Sequence, residues 1–143
     1  MADPVARPTA EDPAAFLAAV QHPVRRRDGV ALAALMGAVT GAPATMCGPS
    51  IVGFGSYHYS YASGHQGDAA AVGFSPRKAH LVLYGLTYGP GAGDLLARLG
   101  KHRRGAGCLY VNTLADVDPG VLRLLVSGGY DHATTVLHVP RQS

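Results

Sequence analysis

The segment Gly73-Phe74-Ser75-Pro76-Arg77-Lys78 sets two fixed positive charges on a tight turn between apolar, strand-like stretches. Proline fixes its own backbone and has no N–H for a ladder, so the chain is predicted to turn at Ser75-Pro76-Arg77-Lys78. The flanks then become antiparallel partners, a strand from Ala70 to Phe74 and another from Ala79 to Tyr84. Upstream, Tyr57, Tyr59 and Tyr61 alternate with His58 and Ser60. Period two predicts a strand with three tyrosines on one face and the histidine on the other. With Ser63-Gly64-His65-Gln66-Gly67-Asp68 read as a turn, the three strands form an antiparallel meander.

Helices are expected before and after these strands in the chain. Asp12-Pro13 is an N-cap followed by proline at the first helical position, opening a short helix from Ala14 to about Gln21 that Pro23 ends. From Arg26 to Val39, Leu32, Leu35, Met36 and Val39 recur on one helical face until Gly41 and Pro43 stop them. Asp94 caps a helix with Leu95, Leu96 and Leu99 inward, Cys108-Leu109-Tyr110-Val111 returns to strand, and Asp118-Pro119 opens a last helix reaching Gly128-Gly129. The order ααβββαβα, with helices on one face of an antiparallel sheet, predicts a two-layer α+β sandwich. One domain is expected over residues 12–130, after a flexible tail over residues 1–11. Residues 131–143 read equally as an edge strand or an unstructured tail, and an edge strand there invites pairing into a homodimer.

Composition narrows the function classes. The 143 residues contain no run of about 18 apolar residues, and Met1 to Pro8 lacks the apolar centre of a signal peptide, so a cytoplasmic protein is the expectation. Twelve basic against nine acidic residues give a net charge of +3. Arginine with abundant alanine and glycine fits a GC-rich bacterial genome better than selection for nucleic acid. Most of the positive charge lies in three runs, Arg25-Arg26-Arg27, Arg77-Lys78 and Lys101-His102-Arg103-Arg104. The first, at a helix start, opposes the helix dipole and is expected in solvent. Cys47 and Cys108 form no Cys-x-x-Cys pair, and Cys108 reads as a small buried hydrophobe. No nucleophile elbow, phosphate-binding loop or dinucleotide fingerprint is present.

Several blocks together resemble the YdhG-like family of small bacterial domains of unknown function. They are Val39-Thr40-Gly41, Gly48 to Gly55, Tyr57-His58-Tyr59, Gly73 to Lys78, Leu99 to Gly105, Cys108 to Tyr110 and Leu114 to Asp118, spanning about Asp28 to Leu125. The chain departs from that pattern at Cys47, where the family has tryptophan, and at Ala69 or Ala70, where it has an aromatic residue. Replacing large side chains by small ones opens a cavity or reshapes a pocket. Some members are described as frataxin-like iron chaperones, so the resemblance implies metal handling, for which His58, His65 and Asp68 are the candidates here. Hard metal sites need grouped carboxylates, and the chain has a single glutamate, Glu11.

The residues themselves favour a non-enzymatic binding domain for a small anionic ligand or an acidic partner, with no cofactor. Arg77, Lys78, Lys101, His102 and Arg103 would supply the charge, Ser75 a turn hydroxyl, and Tyr57, His58 and Tyr59 would line the approach. Arginine offers a planar fork to phosphate or carboxylate and lysine a point charge.

Overall fold

The computed structural model describes residues 9–139. Two helices open the chain, α1 (Pro13–Ala18) and α2 (Pro23–Thr40). Asp12 caps α1 by accepting from the Ala14 N–H at 3.2 Å. Pro23 does not end α1. It stands in the first turn of α2, where a missing N–H costs nothing, and His22 caps that helix through Nδ1. Gly41 closes α2 in the left-handed conformation, φ 69°.

Six strands follow: β1 (Ala44–Met46), β2 (Val52–Phe54), β3 (Tyr57–Ser60), β4 (Gln66–Ala69), β5 (Val72–Pro76) and β6 (Leu81–Tyr84). Then come α3 (Ala92–Leu99), β7 (Arg103–Arg104), β8 (Cys108–Val111), a 3-10 turn (Leu114–Asp116), α4 (Pro119–Asp131) and a π-helix (His132–Leu137). The main sheet is antiparallel throughout, in the order β1-β2-β5-β6-β8-β7, while β3 and β4 form a separate two-stranded ribbon.

The fold is α+β with an antiparallel sheet, but the element order is richer than the sequence suggests. The tyrosine strand β3 does not join a meander with β5. It pairs with β4, formed from residues expected to be a turn, and the β3–β4 ribbon is inserted between β2 and β5, which pair directly. Gln66-Gly67-Asp68-Ala69 has little intrinsic strand preference and is extended through its pairing with β3. The β5–β6 turn falls two residues later than expected, since Ser75 and Pro76 stay in β5 opposite Val82 and Leu81.

One face of the sheet is apolar. Val52, Phe54, Val72, Phe74, Leu81, Leu83, Leu109 and Val111 meet Leu32 and Met36 of α2 and Leu122, Leu125 and Val126 of α4 in one core. The alternate residues of the same strands, Gly53, Gly73, Ser75, Val82, Tyr84, Cys108 and Tyr110, face the other way. Cys47 Sγ and Ala70 Cβ crowd the side of Gly53 where a side chain would stand. They join Tyr59 and Ala69 in a second, smaller buried cluster.

The C-terminal segment is neither edge strand nor loose tail through Val139. After α4 it winds into the π-helix, with the Thr134 and Thr135 hydroxyls donating back to Tyr130 O at 2.9 Å and Asp131 O at 2.6 Å. The His58 N–H then donates to His138 Nδ1 at 3.0 Å, and the Val139 N–H donates to His58 O at 2.8 Å. Residues 132–137, expected as an edge strand or a tail, are thus helical, and residues 140–143 of that expectation lie outside the described residues. Most of the expected N-terminal tail, residues 1–8, lies outside the described residues, and Thr9 N–H already donates to Met46 O on β1 at 2.8 Å. No helix among the described residues is long and apolar enough to cross a membrane.

Candidate functional site

The β5–β6 turn is held in place by a buried arginine. Arg25, expected in solvent, is 4% exposed, and its Nε–H donates to Arg77 O at 2.9 Å. A terminal N–H of the same guanidinium donates to Asn112 O at the end of β8. One turn along α2, Asp28 is equally buried and accepts from Thr113 Oγ1 at 2.9 Å and from the Leu114 N–H at 3.1 Å. The expectation of exposure failed because it weighed only the helix dipole, whereas two carbonyls that leave the sheet unpaired need donors more.

On the turn so anchored, Arg77 is exposed and donates from its guanidinium to Tyr84 Oη at 3.3 Å. Along the same open face the Arg103 guanidinium lies over the Tyr110 ring, 4.8 Å from its centroid, and His80 meets that ring edge-on at 4.8 Å. Register places Arg103 opposite Tyr110 and Tyr110 opposite Val82, two residues from Tyr84, so Arg103 shares a sheet face with the phenol that Arg77 contacts. Lys78 is exposed on the turn beside Arg77. Lys101 and His102 are held elsewhere: the Lys101 N–H donates to Asp116 O at 3.2 Å, and His102 Nδ1 folds onto Gly100 O at 2.7 Å. No contact among the described residues ties either of them to Arg77. Ser75 is fully buried within β5, so its hydroxyl is not at the surface of the turn.

His58 does not line an approach to this face. It is 5% exposed, with Nδ1–H donating to Asp68 Oδ1 at 3.0 Å and Nε2 bonded to Gln66 Oε1 at 2.9 Å. The ribbon register explains this, because His58 stands opposite Asp68 while Tyr57 and Tyr59 stand opposite Ala69 and Gly67 on the other side.

That other side forms the wall of an open cavity of about 620 Å³. Tyr57, Tyr59 and Tyr61 supply one wall, with ring centroids 6.4 Å and 5.2 Å apart in succession, and Tyr84 and Tyr88 also line it. Between them the lining is small: Ala70, Ala71, Gly85, Gly107 and Gly129. Gly107 has φ 79°, and a Cβ there would lie 2.3 Å from Tyr88 Oη, so glycine alone lets that phenol close over the turn. Cys108 lines the cavity too and is half-buried, rather than lost in the core as expected. Burial pushes the Tyr57, Tyr84 and Tyr88 phenols above their ordinary value, and the Arg77 charge partly opposes this at Tyr84. All three therefore keep their protons at neutral pH.

A second hollow of about 270 Å³ is lined by Cys47, Ala69 and Ala70 together with Thr45 and Asp68. Of the cavity residues, Tyr61, Tyr88 and Cys108 were not among the site residues expected from sequence. The alternating tyrosines carried the signal for Tyr61, whereas Tyr88 sits in a glycine-rich loop without periodicity. Compared with known protein families, curated proteins and solved structures, the chain matches none.

Proposed function

We propose that the protein is a non-enzymatic binding domain for a small anionic ligand, engaged by Arg77 and Tyr84 on the open face of the sheet with Arg103 as a second charge. The observation that carries this reading is the hydrogen bond from Arg77 to Tyr84 Oη. Tyr84 Oη accepts from the guanidinium, which leaves its own proton to donate to an oxyanion, while Arg77 supplies the charge and further N–H groups beside it. Arg25 supports the reading by fixing the backbone from which Arg77 projects. A thermal-shift series with inorganic phosphate, acetate and larger carboxylates tests it. Stabilisation that is lost in Arg77→Ala and kept in Lys101→Ala is the expected result; equal responses in the two variants would sink the assignment.

The alternative of frataxin-like metal handling through His58, His65 and Asp68 draws less support from the geometry. His58 and Asp68 lie on one face of the ribbon, and His65 stacks on Tyr61 on the tyrosine face, with rings 6.0 Å apart and 7° from parallel. Among the described residues no three His, Cys, Asp or Glu side chains gather closely enough to hold a metal ion. Anaerobic calorimetric titration with ferrous iron separates the readings, since saturable heat would favour the metal reading over the anionic one.

A further inference from the structure

Building on the anionic reading, we infer that the ligand is a planar aromatic acid, its ring lodged in the tyrosine cavity and its carboxylate or phosphate directed to Tyr84 and Arg77. The cavity has the shape for a flat body. Aromatic rings stand along β3 and at Tyr84 and Tyr88, while alanine and glycine between them leave the space unfilled. Aromatic pairs favour offset-stacked or edge-to-face contact, so tilted tyrosines around a small-residue floor suit a ring better than a branched aliphatic body. The volume lies within the range of small-molecule sites and exceeds what a phosphate or acetate alone would fill.

Among the described residues no charged side chain lines the cavity itself. Arg77 donates to the hydroxyl of Tyr84, and Tyr84 is shared between cavity and arginine. An acid group at that end of the ligand would meet a donor phenol and a guanidinium together, whereas a cationic head would meet the guanidinium as a repelling charge. Tyr61 and Tyr88, 38% and 52% exposed, are large rings left half in water, and covering them with a ligand ring removes that apolar surface from solvent.

Cys108 reports occupancy without a functional assay. It lines the cavity, while Cys47 is 3% exposed with its thiol pushed up by burial and serves as an internal reference for unfolding. The test is the rate of iodoacetamide alkylation at Cys108 in the full chain with naphthoate, naphthalenemethanol, acetate, inorganic phosphate or choline present. Naphthoate is expected to protect Cys108 saturably. Tyr88→Ala, which removes an exposed ring and spares the core, and Arg77→Ala are each expected to weaken the apparent affinity by about tenfold or more. Arg77-dependent stabilisation by phosphate or acetate without protection by naphthoate would leave the anionic reading standing and overturn the aromatic one. Equal protection by naphthalenemethanol, unchanged in Arg77→Ala, would overturn both. Protection by choline alone would make the tyrosines a cage for a cation, and protection by no probe would also overturn the inference.

Discussion

At the scale of single residues, Arg25 shows how a charge can serve structure when its partners are backbone. Its guanidinium joins α2 to the β5–β6 turn and to the end of β8, whose sequence positions are 52 and 87 residues away. Arg25→Ala leaves Arg77 O and Asn112 O without these donors and is expected to cost about 3 kcal/mol, read as a lowered urea midpoint. Arg27→Ala, at an exposed side chain, should change the midpoint little. None of this was legible in the sequence, since three consecutive arginines look alike until the fold brings distant carbonyls to one of them. His58 is similar. Alternation with tyrosines told which face it occupied, but not that Asp68 and Gln66 would wait there, because that depended on β4 being a strand.

At the scale of elements, most of what could be read in advance was local and most of what could not was paired, though Asp94 does not cap α3, where Gly91 is the N-cap and Asp94 lies inside the first turn. Asp12-Pro13, Gly41 and Asp118-Pro119 act within a turn of their own helices, and each caps where expected, Asp118 accepting from the Gly120 and Val121 N–H groups. By contrast β1, β4 and β7 are two to four residues long and lack a β-branched run. They exist through their partners, so periodicity could not announce them. The seat of α4 makes a sharper prediction. A Cβ at Gly129 would stand 2.0 Å from Gly85 O, backbone that cannot rotate away, at a point where both residues line the cavity. Gly129→Ala must push α4 off the β6 end and is expected to cost about 3 kcal/mol, whereas Gly128→Ala, with nothing within 4 Å of its Cβ, should not. Equal denaturation midpoints for the two variants would show that the helix is not seated this closely.

Across the whole molecule the sheet divides two kinds of chemistry: apolar packing against the helices on one face, tyrosines and arginines on the other. The second face gives the protein an alkaline sensitivity. Phenols ordinarily ionise near pH 10, and burial raises Tyr57, Tyr84 and Tyr88 above that in the native state. The folded chain therefore holds protons that the unfolded chain has released. Stability present below the ordinary phenol value must fall as pH rises through the raised native values. Buried Cys47 adds to the same slope from a somewhat lower pH. Urea midpoints that stay flat from about pH 9 to about pH 11 would contradict this. The division into faces was legible in part, through alternation in β3 and apolar runs in β6 and β8, but the meeting of Tyr88, Cys108 and the π-helix around one cavity was not. The most direct measurement of the binding proposal follows the guanidinium Nε–H signals of the full chain by nitrogen-resolved NMR during titration with naphthoate and with inorganic phosphate. The Arg77 signal is expected to move saturably with naphthoate while that of Arg25, committed to backbone carbonyls, stays in place. Saturable ligand binding with an unmoved Arg77 signal would contradict the placement of the anion site.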